Sequence, residues 1–191
     1  MRVCTRTNWR RLAALLLGLA VFGRAAADFK VADVQPKFAE QSLVLSGNID
    51  LGLSSQVEEA LSKGIPLEVV IEVRLYQYRR FLWDKQVAAW TLHRSIQYHA
   101  LSGQYLVSAG DPDAETRESL LTQQEALKSL GSLNDLRLTL ANHVPADNNY
   151  YSVDVRASLD IEALPTPLRP VAYTSFAWHL NSGWTTWKVA R

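Results

Sequence analysis

Four stretches of this chain alternate apolar and polar residues with period two, a spacing that an α-helix cannot gather on one face. "PLEVVIEVRLYQY" puts Leu67, Val69, Ile71, Val73 and Leu75 on one parity, with Glu68, Glu72, Arg74, Tyr76 and Tyr78 on the other. "YYSVDVRASLDIEA" sets Tyr151, Val153, Val155, Ala157, Leu159 and Ile161 against Ser152, Asp154, Arg156, Ser158 and Asp160. "VAAWTLHRSIQYHA" alternates Ala88, Trp90, Leu92, Ile96 and Tyr98 with Thr91, His93, Ser95, Gln97 and His99, and "SLVLSGNIDL" carries Leu43, Leu45, Ile49 and Leu51. One wet and one dry face describe antiparallel sheet over a core. Weaker strands are expected at 29–35, 104–108 and 133–141, about eight in all.

Two short helices interrupt the strands. In "SSQVEEALSKG", Ser55 and Glu58 have capping-box spacing, Val57, Ala60 and Leu61 share a face, and Gly64 ends the turn. "LTQQEALKSLG" repeats the device with Thr122, Glu125 and Gly131. "SAGDPDAET" (108–116) reads as a loop, and the three prolines of "ALPTPLRP" (163–170) break strand pairing. No βαβ rhythm is present. The expected fold is mainly β: a two-layer antiparallel β-sandwich, immunoglobulin-like or C2-like, with two short helices.

Residues 1–27 differ from the rest. Arg2, Arg6, Arg10 and Arg11 precede an apolar run from Leu12 to Phe22, and Ala25 and Ala27 occupy small-residue positions before Asp28. This is the pattern of a cleavable secretory signal peptide, with the cut expected after Ala27. A retained anchor would need about 20 apolar residues. The expected organisation is therefore a signal at 1–27 and one β-sandwich domain at 28–191, long enough to bury a core without staples. Five arginines and no acid lie in the signal, so residues 28–191 carry 15 basic and 19 acidic residues, net charge −4. That balance argues against nucleic acid, whose phosphates demand clustered cations. Cys4, the one cysteine, also lies in the signal, which removes disulfides, thiolate metal sites and a cysteine nucleophile from the exported part.

Catalytic and metal motifs are missing from the sequence. There is no G-x-S-x-G, S-x-x-K, H-E-x-x-H or glycine-rich phosphate loop. His93 and His99 stand six strand residues apart, about 20 Å, too far for one ion. His143 and His179 have no motif spacing. "DPDAE" resembles the start of a calcium loop, but Thr116 and Thr122 fill the positions that need glycine and glutamate. Glu68 and Glu72 read as cross-strand ion-pair residues. No catalytic residue, cofactor or metal is expected, and the chain reads as a non-enzyme.

The distinctive stretch is "RLYQYRRFLWDK" (74–85), aromatics mixed with cations between two strong strands. Arg79 to Lys85 is expected as an exposed hairpin end, and Arg79, Arg80, Phe81 and Trp83 as candidate interaction residues, since such residues anchor interfaces. They also suit a glycan or anionic head group. Near the C-terminus, Trp178, Trp184 and Trp187 are expected in a second hairpin with a four-residue loop, 181–184. That register faces Trp178 with Trp187 in the core, on one face with Phe176, Leu180 and Val189. Trp184 is left at the turn as a further candidate contact.

"LSGNIDLGLSSQVEEALSKGIPLEVVIEVRLY", "RFLWDK", "LHRSIQYHALSGQYLV" and "ALPTPLRPVAYTSFAWHLNSGW" together resemble an uncharacterised family of exported proteobacterial proteins known only as a domain of unknown function. The resemblance implies a periplasmic address and a role beside a membrane sensor kinase. It brings no catalytic residues. The expected function is an exported periplasmic binding or interaction module, partnered by an envelope or sensor protein. The alternatives are an envelope hydrolase using a carboxylate pair, and a protein that touches the membrane surface only peripherally.

Overall fold

A computed structural model describes residues 28–111, 114–141 and 150–189, with the side chains at 111, 114 and 115 excluded. Two antiparallel sheets form the body, in a sandwich-like arrangement, with three helices around them. The smaller sheet has the order β1-β2-β7, from Phe29–Ala39, Ser42–Leu51 and Leu136–Thr139. The larger has the order β6-β5-β4-β3-β8-β9, from Ala114–Leu120, Gln104–Asp111, Lys85–His99, Leu67–Gln77, Tyr151–Leu159 and Thr185–Lys188. The two-layer β architecture follows the alternation, and the expected strands at 29–35, 104–108 and 133–141 are all present.

Parity decides burial. Leu67, Val69, Ile71, Val73 and Leu75 of β3 and Tyr151, Val153, Val155, Ala157 and Leu159 of β8 are buried, while the polar positions between them are half-exposed. They face Leu43, Leu45, Ile49 and Leu51 of β2 in one hydrophobic core. Trp90 Nε1 donates to the Thr139 carbonyl at 3.2 Å, a direct tie between the layers.

Two helices sit where the sequence puts them. Helix α1, Ser55–Ser62, is capped by Ser54 rather than Ser55. Ser54 Oγ accepts from the Val57 amide at 3.3 Å and donates to the Ala177 carbonyl at 2.7 Å. The tertiary bond selects the earlier cap, which leaves Glu58 outside capping-box position. Helix α2, Gln123–Leu130, is capped by Thr122 as expected: the Glu125 amide donates to Thr122 Oγ1 at 3.2 Å, and that hydroxyl, rather than the Thr122 amide, donates to Glu125 Oε2 at 2.8 Å. Gly64 ends α1 in the left-handed region (φ 81°). Gly131 has another role. Its φ is −85°, and a Cβ there would stand 2.1 Å from the Ile49 carbonyl oxygen of β2.

Two expectations fail. The 108–116 segment is not a loop: Ala109 pairs with Thr116 and Gly110 with Glu115, so β5 and β6 are one hairpin. Residues 112–113, which join them, lie outside the described residues. The polar flanks form a charged edge strand, which blunts unwanted pairing. The expected C-terminal hairpin is also absent. Arg169–Thr174 is a third helix, α3, with Pro170 in its first turn, and Phe176–Trp178 is a 3₁₀ turn. Residues 180–188 instead pair with β8: the Leu159 amide donates to the Leu180 carbonyl, the Ser182 amide to the Ala157 carbonyl, and Val153 faces Trp187. The open edge of β8 outcompetes Phe176–Leu180 as partner. Trp178 is buried as expected, but Phe176 is 94% exposed and Trp187 is only half-buried, so the cross-strand tryptophan pair does not exist.

Substituting Gly131→Ala should destabilise the protein by about 3 kcal/mol, because backbone must move to admit the methyl. Gly103→Ala, with open space around its Cβ but φ 66°, should cost about 1 kcal/mol. Urea denaturation of both variants checks the ranking; equal losses would contradict it.

Candidate functional site

The β3–β4 connection runs from Tyr78 to Asp84 and projects beyond the paired strands. The Tyr78 amide donates to the Tyr150 carbonyl at 2.9 Å, continuing the pairing of β3 towards β8, and the Arg79 amide donates to Asp84 Oδ1 at 3.4 Å across the base of the tip. Beyond that base, Phe81 is 88% and Trp83 92% exposed, and Leu82 and Tyr78 are exposed as well. The Arg80 guanidinium stands over the Phe81 ring, 5.5 Å from its centroid. Four large apolar side chains therefore reach solvent within six residues, flanked by Arg79, Arg80 and Lys85. Scattered apolar surface residues are ordinary, whereas a contiguous group marks a contact site.

Trp184 lies elsewhere. Its ring carries Arg74 at 4.0 Å and Arg156 at 4.7 Å from the centroid, on the outer face of the large sheet. Arg156 Nε also donates to Glu72 Oε2 at 2.7 Å, Arg156 Nη2 pairs with the same oxygen, and Arg74 Nη2 approaches Glu72 Oε1 at 3.6 Å. Glu72 thus does the cross-strand pairing expected of it. Arg74 is four residues from Tyr78, about 13 Å along the strand, so Trp184 and the tip are separate features. Trp184 is 37% exposed, with its cation–π capacity already engaged internally.

The register brings together a third group. His93 Nδ1 is 2.5 Å from Glu68 Oε1, and one ligand atom each from Glu68, His93 and Asp160 lie within 4.8 Å of one another. On β3 and β4, Val70 faces His93 and Glu68 faces Ser95, so Glu68 and His93 are diagonal neighbours. Leu159 faces Val69, and the Asp160 amide donates to the Glu68 carbonyl at 2.8 Å, which sets Asp160 beside Glu68. Comparing histidines only with each other misses this cluster. The shared polar parity of Glu68, His93 and Asp160 is its signal in the sequence, but strand order is needed to read it. His143 and the acidic side chains of "DPDAE" lie outside the described residues, and His179 Nδ1 is engaged with the Ser175 carbonyl at 3.0 Å.

Replacing Trp178 by Ala should cost about 3–5 kcal/mol, as for a buried aromatic, and Trp184→Ala only about 1 kcal/mol, the worth of a partly exposed cation–π stack. Chemical denaturation followed by far-ultraviolet circular dichroism separates the two; a costlier Trp184 change would show that the stack, not the core, holds this segment.

A family model described as a domain of unknown function, DUF4390, matches residues 26–188. No curated protein and no solved structure matches the chain significantly.

Proposed function

The chain belongs to the DUF4390 family, whose function is unknown, and we propose that it is an exported periplasmic binding module that grips a protein partner with its β3–β4 tip. The observation that carries this reading is the exposure of Phe81, Leu82 and Trp83 between Arg79, Arg80 and Lys85. Folding gains nothing from displaying these rings, and aromatics with arginine concentrate binding energy at interfaces. The cations favour an acidic rim on the partner, and steer it despite the net charge of −4 over residues 28–191. The signal-like segment at 1–27 supports export, and the extracytoplasmic part of a membrane sensor is the proposed partner. Among the described residues, no helix is long and apolar enough to cross a membrane.

A second reading draws on the same tip. Rings beside arginines also suit the boundary between lipid head groups and acyl chains. A hydrolase reading has weaker support: Glu68 and Asp160 converge, but on a half-exposed sheet face, where water is not excluded.

A photo-crosslinker at position 83 should capture the partner in the envelope, and Arg79→Glu/Arg80→Glu or Phe81→Ser should cut that capture at least about ten-fold while leaving stability within about 0.5 kcal/mol. Undiminished capture would overturn the assignment of the tip. Flotation with phosphatidylglycerol vesicles that depends on Phe81 would transfer the tip to the membrane.

A further inference from the structure

We propose that Glu68, His93 and Asp160 form a binding site for a divalent transition-metal ion of the zinc class. The site is independent of the tip and lies at the other end of the same β-hairpin.

The donors come from three neighbouring segments: the start of β3, the middle of β4 and the residue after β8. Each is held by something other than a metal. Glu68 and Asp160 are locked side by side through the backbone bond from the Asp160 amide to the Glu68 carbonyl. Asp160 Oδ1 accepts from the amides of Glu162 at 2.8 Å and Ala163 at 3.3 Å, which orients the carboxylate. His93 sits on a strand paired on both sides, with Val70 and with Gly110. Preorganisation of this kind lowers the ordering cost of binding.

The electrostatics point the same way. Two carboxylates adjacent across strands repel each other. Glu68's side-chain partner is the His93 imidazole rather than an arginine or lysine. A doubly charged cation would relieve that repulsion and take the imidazole nitrogen as a further donor. The mixed nitrogen and oxygen donors favour zinc, or a neighbour such as cobalt or nickel, over magnesium and calcium, which take oxygen alone. The absence of thiolate disfavours copper(I).

Geometry permits closure. Tetrahedral zinc bonds of about 2.0–2.2 Å separate neighbouring ligand atoms by about 3.4 Å. The present atoms lie within 4.8 Å, and Glu68 and His93 need only part slightly from 2.5 Å. Glu68 and Asp160 are half-buried and His93 is exposed, so small side-chain rotations achieve this. Three protein donors leave a coordination position for water or for a ligand supplied by another molecule.

The test is calorimetric titration of the purified, tag-free protein with zinc chloride after chelator treatment, with metal content measured after gel filtration. One zinc per chain is expected. His93→Ala, and separately the near-isosteric Glu68→Gln and Asp160→Asn, should each weaken binding about ten-fold or more, with melting curves showing that the variants remain folded. Trp83→Ala should bind as the parent does. Cobalt(II) bound to the parent should give visible absorption that His93→Ala loses. Absence of saturable binding to the parent overturns the proposal. So does zinc binding that survives His93→Ala and Glu68→Gln, because the ion would then sit on other histidines.

Discussion

A buried guanidinium joins the two layers. Arg94 lies on the inward parity of β4 between Leu92 and Ile96 and is 3% exposed, the buried charged side chain among the described residues. Its Nη1 donates to the Leu130 carbonyl at 2.9 Å and to the Ser132 carbonyl at 2.5 Å. Leu130 ends α2, so a cation meets the negative end of the helix and satisfies a carbonyl that has no intrahelical partner. A buried charge is tolerated only with such partners, and losing them leaves both groups desolvated. The same turn is stitched to the small sheet. The Ile49 amide donates to the Gly131 carbonyl at 2.9 Å and the Leu133 amide to the Gly47 carbonyl at 3.0 Å. Arg94 from the large sheet and β2 from the small one therefore hold one turn between them, and Gly131 is the residue that lets them approach.

That arrangement determines where function can reside. The inward faces of β2, β3 and β8 are filled with aliphatic side chains. Chemistry and contacts are confined to the outward sheet face, the edges and the connections. The outward face divides along β3. Around Glu72, two arginines stack on Trp184. Around Glu68, two acids meet a histidine. The tip beyond Gln77 is different again, since its rings have no partner sheet to cover.

How much of this could be read beforehand depended on the kind of signal. Period-two alternation announced β2, β3, β4 and β8, because burial on one face leaves its mark residue by residue. The aromatic-basic run between two such strands reads as an exposed hairpin end at Arg79 to Lys85, and Phe81 and Trp83 are indeed outside, although Lys85 already belongs to β4. Arg94 escaped, because a cation on the dry parity looks like an interruption until the helix end it serves is in place. Phe176 to Leu180 alternate too, yet fold as a 3₁₀ turn and an irregular segment. Five residues of alternation are weak against the unpaired edge of β8, which residues 180–188 satisfy instead. Trp184 was expected as a free contact at a turn, but strand order places Arg74 and Arg156 beneath it. The Glu68, His93 and Asp160 cluster depends wholly on strand order, since its members are 25 and 67 residues apart in the chain.

The β3–β4 hairpin thus carries two features at opposite ends. Ten residues separate Glu68 from Tyr78, about 30 Å along the strand. Between them, β3 is paired on one side with β4 and on the other with β8, and Val69, Ile71, Val73 and Leu75 are locked in the core. Close-packed strands of this kind do not bend by small degrees. An ion at Glu68 can alter the tip only if the two arrangements of some intervening element bind it with different affinity. The register shift in the β3–β4 pairing between Leu75 and Tyr76 is the place where such a second arrangement would be cheapest, because the ladder is already interrupted there. Below that shift the hairpin behaves as a rigid spacer, so the Glu68, His93 and Asp160 cluster and the aromatic tip are structurally separate features of one scaffold.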